Sequence, residues 1–340
     1  MEIEEVKKIV GDRYSLNISG MEKIKNVYKI EANSINYCLK VIKYDLGHFI
    51  FIINAIKHLQ KSGFKSIPEI IPDRDGKEYI ELGGFLAYLT NWVEARECNY
   101  DNPIDIKTAA VKLGELHLSS EGFNVTKEMN PRIGWLKWPQ NFRTRTDEIL
   151  DFKKRIDKKH KKTEFDEMYL EIMDDELERA KMSVLDLESS DYYFQMLREM
   201  KKKGFCHHDF AHHNVLISEE TKVNIIDFDY CILDTHLHDL ASLLIRRMKN
   251  GKWSMANASY ILDCYNSVYK IEDTDLPIIA SFIEFPQGYW QVGLQYYWEK
   301  QAWGEEYFLS KLLKIKEDSE DRQEFIYELM NYKYGRGNNG

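Results

Sequence analysis

Apolar and polar positions alternate most cleanly in "INYCLKVIKY", where Ile35, Tyr37, Leu39 and Val41 share one face. A period of two predicts a strand. "YSLNISG" and "NVYKIEA" read as two further strands around a loop, "GMEKIKN". Leu46 to Ser62 has helical spacing and stops at Gly63. "PDRDGK" is a turn cluster, and Gly83-Gly84 joins "EYIEL" to "FLAYLTNWV" as a hairpin. The first ninety residues are thus expected to be mostly strand: five short strands and one helix. At Asn102 the period changes. Ile106, Ala109, Ala110, Leu113 and Leu116 recur at helical spacing, with Asn102 as N-cap, Pro103 in the first helical position and Asp105 near the positive end. Most of the remaining chain is helical in pattern. The exception is a strand-like island at 214–232, with Val215–Ile217 as one strand, Glu219 to Thr221 as the turn and Val223 to Phe228 as the return. The expected division is a small antiparallel sheet lobe (1–90), a connector (91–97), a mainly helical lobe (98–334) and a flexible tail (335–340). The fold class is α+β.

Composition narrows the function classes. At 340 residues with 44% apolar and 13% aromatic side chains, the chain can bury a substantial core in two lobes. Its net charge of −9 argues against nucleic acid or an anionic membrane as partner. "MEIEEVKKIV" is acidic and amphipathic, unlike a secretory leader, and the longest apolar run is "FIFII". Cysteines at 38, 98, 206, 231 and 264 are odd in number and irregularly spaced, as expected of reduced cytosolic thiols. The basic run "KKRIDKKHKK" reads first as a solvated face and second as a partner patch.

The chemistry concentrates in "GFCHHDFAHHNVLI". His208 and His212 have the i, i+4 spacing of a zinc-binding helix. A hairpin pattern comes directly after, however, so these histidines belong to a loop, and zinc is disfavoured. Another reading uses oxygen-bearing side chains. Asp209 and Asn214 lie five apart, and Asp227 ends the apolar return strand in "IIDFD". One carboxylate that orients a hydroxyl, with an Asn and an Asp that hold Mg²⁺ against phosphates, is the set of parts phosphoryl transfer needs.

The paired motif "HHDFAHHN…IIDFD" resembles the catalytic and metal loops of the aminoglycoside phosphotransferase and choline kinase group. That resemblance implies a bilobal protein-kinase-like fold, ATP and Mg²⁺ as cofactors, Asp209 as catalytic base, Asn214 and Asp227 as metal ligands, and His207 as a structural histidine. Lys40, with Lys43 as competitor, would be the nucleotide lysine. "ISGMEKIKNVYKI", with Gly20 as its one glycine, resembles the phosphate-covering hairpin. "AYLTNWVEA" resembles the hinge, where Thr90, Asn91, Trp92 and Val93 would meet adenine through backbone groups. Asp239 in "HLHDLASLL" resembles the helix start after the metal loop, and also reads simply as an N-cap.

A narrower likeness is carried by "LTNWVEARECNYDNPIDIKTAAVKLGELH", "IDFDYC", "HDLASLL" and "EFPQGYWQVGLQYYWEKQAWGEEYFLSKL". These stretches resemble CotS-like spore coat proteins, which implies sporulation, a mother-cell cytoplasmic origin and deposition in the coat. The acceptor implied is the hydroxyl of a small cationic molecule or of a coat protein. Phe285, Tyr289, Trp290, Tyr296, Tyr297, Trp298 and Trp303 could supply aromatic faces for a cation, or simply pack a helix pair. The alternative function is an inert kinase-like coat scaffold. Three departures bear on this choice. The helix "LGHFIFIINAIKHLQKS" holds no acidic residue to pair with Lys40. Asp229 replaces the glycine of Asp-Phe-Gly, either adopting positive φ in its place or adding a carboxylate near the metal. His208 stands where relatives most often have glycine.

Overall fold

The computed structural model describes residues 2–220 and 222–334. The chain forms two compact units, Met1–Arg132 with Lys203–Leu233, and Ile133–Lys202 with Asp234–Gly340.

The first unit is built on a mixed-length antiparallel sheet. Its strands are β1 (Ile18–Ile24), β2 (Val27–Ala32), β3 (Ile35–Ile42), β4 (Ile70–Ile71), β5 (Ile80–Leu82) and β6 (Phe85–Asn91), in the order β1-β2-β3-β6-β4 with β5 also on β6. The expected five strands and one helix are therefore six strands and two helices. The acidic N-terminus folds as α1 (Ile3–Tyr14), because Val6, Val10 and Tyr14 fall on one face and bury against Ile30, Leu39, Leu82 and Leu89. The expected loop "GMEKIKN" is mostly strand. Met21 pairs with Ile30 and Lys23 with Tyr28, leaving only a turn at Lys25-Asn26, where Lys25 takes φ 54°. Ladder pairing with β2 overrides the polar local composition. The Gly83-Gly84 hairpin forms as expected, both glycines at positive φ and Leu82 opposite Phe85.

The alternation in β3 sends Tyr37 and Leu39 into the core below the sheet. Lys40 therefore projects from the other face, opposite Tyr88 of β6. Helix α2 (Leu46–Lys61) begins at Asp45, whose carboxylate accepts from the His48 N–H, and gives way to Gly63 at φ 84°. Helix α3 (Pro103–Ser120) is capped by Asn102, which accepts from the Ile104 and Asp105 N–H groups. Asp105 does more than face a helix dipole: it is buried and takes Arg96 in a two-pronged pair at 2.6 and 2.9 Å. A second sheet in this unit joins β7 (Arg96–Glu97), β8 (Val215–Ile217) and β9 (Val223–Ile225). The return strand is shorter than expected. It ends at Ile225, and Phe228–Tyr230 make a 3-10 turn. Thr221 of the expected turn lies outside the described residues.

The second unit is helical: α4 (Trp138–Asp157), α5 (Glu164–Glu171), α6 (Met173–Ser189), α7 (Tyr192–Lys202), α8 (Leu237–Met248), α9 (Met255–Asn266), α10 (Asp275–Glu284), α11 (Gln287–Gly293), α12 (Glu305–Glu317) and α13 (Ser319–Asn331). Helix α11 runs on through a π-helical turn, Leu294–Trp298. Asp239 lies in the first turn of α8, whose cap is His236, so it is not the N-cap itself. Tyr289 and Tyr297 are core residues packed with Phe152, Phe165 and Tyr169, and Phe285 stacks on Phe142 at 4.2 Å. Trp290 and Trp298 already face Arg145 (4.5 Å) and Arg155 (5.8 Å). Phe285, Tyr289 and Tyr297 thus pack the helices, Trp290 and Trp298 face the protein's own arginines, and Trp303 stays exposed. The basic run is mainly solvated, with Ile156 buried and Lys159 paired to Asp166 at 2.7 Å. The expected tail, 335–340, lies outside the described residues.

A buried hydrogen bond to a carboxylate ties α7 to the start of α8. Glu199 accepts from His236 Nδ1 at 2.9 Å and pairs with Lys202 at 3.0 Å. Burial alone would raise its carboxyl, but His236 and Lys202 outweigh burial and bring it down to about 2. The folded value lies below the unfolded one. Its stabilisation is therefore present above the ordinary glutamate range and drains away as pH falls from about 4.5 toward 2. Glu199→Gln should flatten the acid limb of the stability curve over that window and lower the melting temperature at pH 7. Urea or thermal unfolding from pH 2 to 8 checks this, and an unchanged acid limb contradicts it.

Candidate active site

The chain reaches the site through a buried aromatic cluster. Phe205 meets Phe123 at 5.3 Å and Phe51 of α2 at 6.5 Å, and its N–H donates to Ser120 Oγ at the end of α3. Cys206 and Ile232 exchange backbone hydrogen bonds at 2.9 and 3.1 Å, closing the base of the segment. His207 is fully buried. Its Nε2 reaches the Ile226 carbonyl at 2.9 Å, and its ring packs on Phe228 at 4.7 Å. His208 takes φ 68°, the left-handed region that a glycine fits best.

Beyond this turn comes Asp209, half-buried. Its backbone carbonyl accepts from the Ala211 N–H, and a 3-10 turn, His212–Asn214, delivers Asn214 back toward it. The Asn214 amide donates to the Asp209 carbonyl at 2.9 Å and to its Oδ2 at 3.1 Å. The loop is also fastened from outside. The Cys98 N–H donates to the Val215 carbonyl at 2.8 Å, and the Tyr100 hydroxyl to the Phe210 carbonyl at 3.1 Å.

The hairpin β8–β9 then reverses the chain, with Val215 opposite Ile225. One step on, the Ile226 N–H donates to the Asn214 carbonyl at 3.0 Å, so Asp227 emerges beside the loop. Asp227 itself takes φ 65°. The positive φ expected of Asp229 thus falls on Asp227, and Asp229 sits inside the 3-10 turn. This bend aims both carboxylates at one lysine: Lys40 Nζ lies 3.0 Å from Asp227 Oδ1 and 3.1 Å from Asp229 Oδ2. Lys40 is 5% exposed, whereas its competitor Lys43 is exposed. The absent helix carboxylate is thus replaced by Asp229. Helix α2 contributes His48 instead, whose Nε2 lies 3.3 Å from the Asp229 carbonyl oxygen.

The charges in this knot are mutually dependent. Burial would lower the Lys40 ammonium, but the two carboxylates hold it above its ordinary value. Burial pushes Asp227 up, and Lys40 outweighs it to keep the carboxyl below its usual range. Burial and the neighbouring Asp227 charge push Asp229 up to about 7. Close by, the Arg132 guanidinium lies over Tyr44 at 4.9 Å and Tyr230 at 5.5 Å, and the Leu233 N–H holds its backbone carbonyl.

The donor set fits a hard divalent cation and does not fit zinc. Asn214, Asp227 and Asp229 offer oxygen, and Asp229 Oδ1 is buried with no hydrogen-bond partner among the described residues. Among those residues the loop histidines form no group of three converging ligand atoms: His212 and His213 are exposed, and His212 faces Glu97 at 3.8 Å.

The remaining expected positions lie along the sheet. Gly20 is inside β1, not at the turn, where a Cβ would come 2.8 Å from Glu31 Oε2. Thr90 is buried opposite Cys38 and Asn91 lies opposite Tyr37. Trp92, which precedes Val93, has its N–H engaged by the Asn36 carbonyl at 2.9 Å. Neither Asp229 as partner of Lys40 nor His48 behind it is identified by the sequence pattern. The missing acid on α2 is the signal that a substitute must exist.

A sequence profile of the family described as "Spore coat putative kinase YutH" matches residues 7–329. Spore coat protein S of Bacillus subtilis (strain 168) is 23% identical over 307 residues, covering 90% of this chain and 87% of that protein. Among solved structures, the chain is similar to an aminoglycoside phosphotransferase from Alicyclobacillus acidocaldarius. The TM-score is 0.83 at 22% identity, over 95% of this chain and 94% of that one. It is also similar to spectinomycin phosphotransferase, solved with ADP and spectinomycin, at TM-score 0.67 and 15% identity over 97% and 98%. The fold is therefore that of the protein-kinase-like phosphotransferases. No helix among the described residues is long and apolar enough to cross a membrane.

Replacing Lys40 by Met would leave Asp227 and Asp229 facing each other without a cation. The expected loss is about 3–5 kcal/mol of stability. Adding Asp229→Asn to Lys40→Met should recover part of that loss, whereas Asp229→Asn alone should destabilise. A double-mutant cycle by denaturant unfolding measures the coupling. Additive losses would show that the three groups do not share one charge balance.

Proposed function

We propose, since this chain belongs to the Spore coat putative kinase YutH family, that it is an ATP-dependent phosphotransferase which acts on a hydroxyl acceptor. The observation that carries this reading is the convergence of four side chains. Lys40 from the sheet pairs with Asp227 from the hairpin, and Asp227 comes directly after the backbone bond to Asn214, which in turn holds Asp209.

In this mechanism Asp209 accepts the proton of the acceptor hydroxyl. The hydroxyl oxygen bonds to the γ-phosphorus as the bridge to the β-phosphate breaks, and ADP leaves. Asn214 orients the Asp209 carboxylate through its side-chain NH2 and keeps its side-chain Oδ1 for a cation. Asn214 and Asp227 would hold Mg²⁺, which when bound offsets charge on the phosphates. Lys40 turns its ammonium to the phosphates while Asp229 retains it, the task performed elsewhere by a helix glutamate. Fixed dipoles and charges in place before reaction supply most of the rate enhancement.

On this reading residues 1–90 serve as nucleotide lobe, 91–97 as hinge and 98–334 as acceptor lobe. Gly20 lies in the phosphate-covering hairpin, and backbone groups from Thr90 to Val93 meet adenine. The spectinomycin phosphotransferase neighbour was solved with ADP, and an amicoumacin kinase neighbour with AMP-PNP and Ca²⁺, which supports nucleotide and divalent cation here. The acceptor is a small hydroxyl compound or a coat protein. Of the aromatic residues that could favour a cationic acceptor, Phe285, Tyr289 and Tyr297 are buried in packing, and Trp290 and Trp298 already face arginines. On this reading the protein is made in the sporulating mother cell and deposited in the coat, a location that its membership in a spore coat family supports.

Titration calorimetry with ATP tests this directly. Wild type should bind ATP in the presence of Mg²⁺, and Asp227→Ala should lose at least about tenfold of that affinity. Asp209→Asn should bind ATP as wild type does, yet lose about 10²–10⁴-fold in transfer. Wild type that shows no Mg²⁺-dependent binding would instead identify an inert coat scaffold.

A further inference from the structure

The second unit carries a cleft of about 420 Å³ between the end of α8, the face of α11 and α12. Its charge is opposite to that of the chain. Acidic residues outnumber basic ones 56 to 47 overall, yet Lys249, Lys311 and Lys314 all line this one cleft. None of the three has a carboxylate partner among the described residues. Burial, and then the charges of Arg246, Lys311 and Lys314, hold the Lys249 ammonium below its ordinary value, although part of its surface stays open. Like charges gathered without a counter-ion cost stability, so the arrangement calls for an anion from outside.

The other charged lining groups do not meet that need. Both oxygens of Asp318 are taken by backbone N–H groups, of Asn250 and Gly251, at 2.6 Å each. The Arg322 guanidinium is spent on the carbonyls of Ile283, Glu284 and Phe285. The walls supply more than charge. Trp253 lines the cleft with a solvent-shielded indole N–H that has no acceptor among the described residues. Tyr307 lines the cleft from the same helix as Lys311, whose Nζ lies 5.2 Å from its ring centre. Gln287 and Gln291, four residues apart on α11, add amide groups.

We infer that this cleft is a binding site for a small phosphate ester, its phosphoryl oxygens held by Lys249, Lys311 and Lys314 and its organic body against Trp253 and Tyr307. Compact multiple charge matches three lysines that line one cleft, and the volume lies in the range of small-molecule sites. Aromatic walls favour an ester over bare inorganic phosphate. Nothing in this inference requires the phosphotransferase reading.

The test is calorimetry with glycerol 3-phosphate and with inorganic phosphate, on wild type, Lys311→Gln/Lys314→Gln and Asp227→Ala. Wild type should bind the ester more tightly than phosphate. The lysine pair variant should lose at least about tenfold, the loss of charge-assisted hydrogen bonds. Asp227→Ala should bind the ester as wild type does. Without ligand, the lysine pair variant should melt at or above wild type, because repulsion is relieved, and the ester should raise the melting temperature of wild type and Asp227→Ala more than that of the lysine pair variant. Four results overturn the inference: no ester binding by wild type at about 10 mM; equal binding by the lysine variant; phosphate binding as tight as the ester; or binding lost in Asp227→Ala and kept in the lysine variant. Failure of nucleotide binding at Asp227 would leave these measurements readable, so the two ideas fall separately.

Discussion

An ammonium group stripped of most of its water has to find negative charge nearby, and Lys40 finds it twice, on Asp227 and Asp229. Much of the first unit can be understood as what this requires. The sheet must alternate so that Lys40 leaves the face opposite Tyr37 and Leu39. The β8–β9 hairpin must return beside the loop. The chain must then bend sharply enough at Asp227 to turn two acids, separated by one residue, onto the same nitrogen. The cost of the unusual φ at Asp227 is offset by the charge balance it permits.

The same arrangement explains how a chain without an acid on α2 keeps a buried lysine in place. The carboxylates come from the turn at Asp227–Asp229 rather than from α2, and the helix supports that turn through His48. Sharing one cation between two acids separates their behaviour. Asp227 stays ionised, held down by Lys40, while Asp229 is pushed toward neutrality by burial and by Asp227 itself. The knot therefore keeps one firm negative charge on Asp227 and one adjustable charge on Asp229.

Much of the fold is legible in local pattern. The Asn102 cap, the α2 span, the double-glycine hairpin and the strand face of Leu39 each come from side-chain chemistry within a few residues. The misses share one cause. The strand β1 reads as loop because its pairing partner lies outside any local window, and α1 passes unnoticed because its three buried positions matter only once a sheet covers them. The return strand reads as longer than it is because the bend at Asp227 answers to Lys40, which is 187 residues away.

The sequence alone determined which groups were available: one lysine in an apolar strand, Asp209 and Asn214 at a spacing that a 3-10 turn can close, and the acids of "IIDFD". Spacing of a few residues fixes such local geometry because the backbone has few soft angles. Only the tertiary structure decided that Asp229 holds Lys40, that Asp227 takes the left-handed bend, and that Tyr289 and Tyr297 are core packing. It also decided that Lys249, just after α8, shares one cleft with Lys311 and Lys314 of α12. Those outcomes depend on which surfaces meet and which charges lose water together, and neither is set by neighbours along the chain.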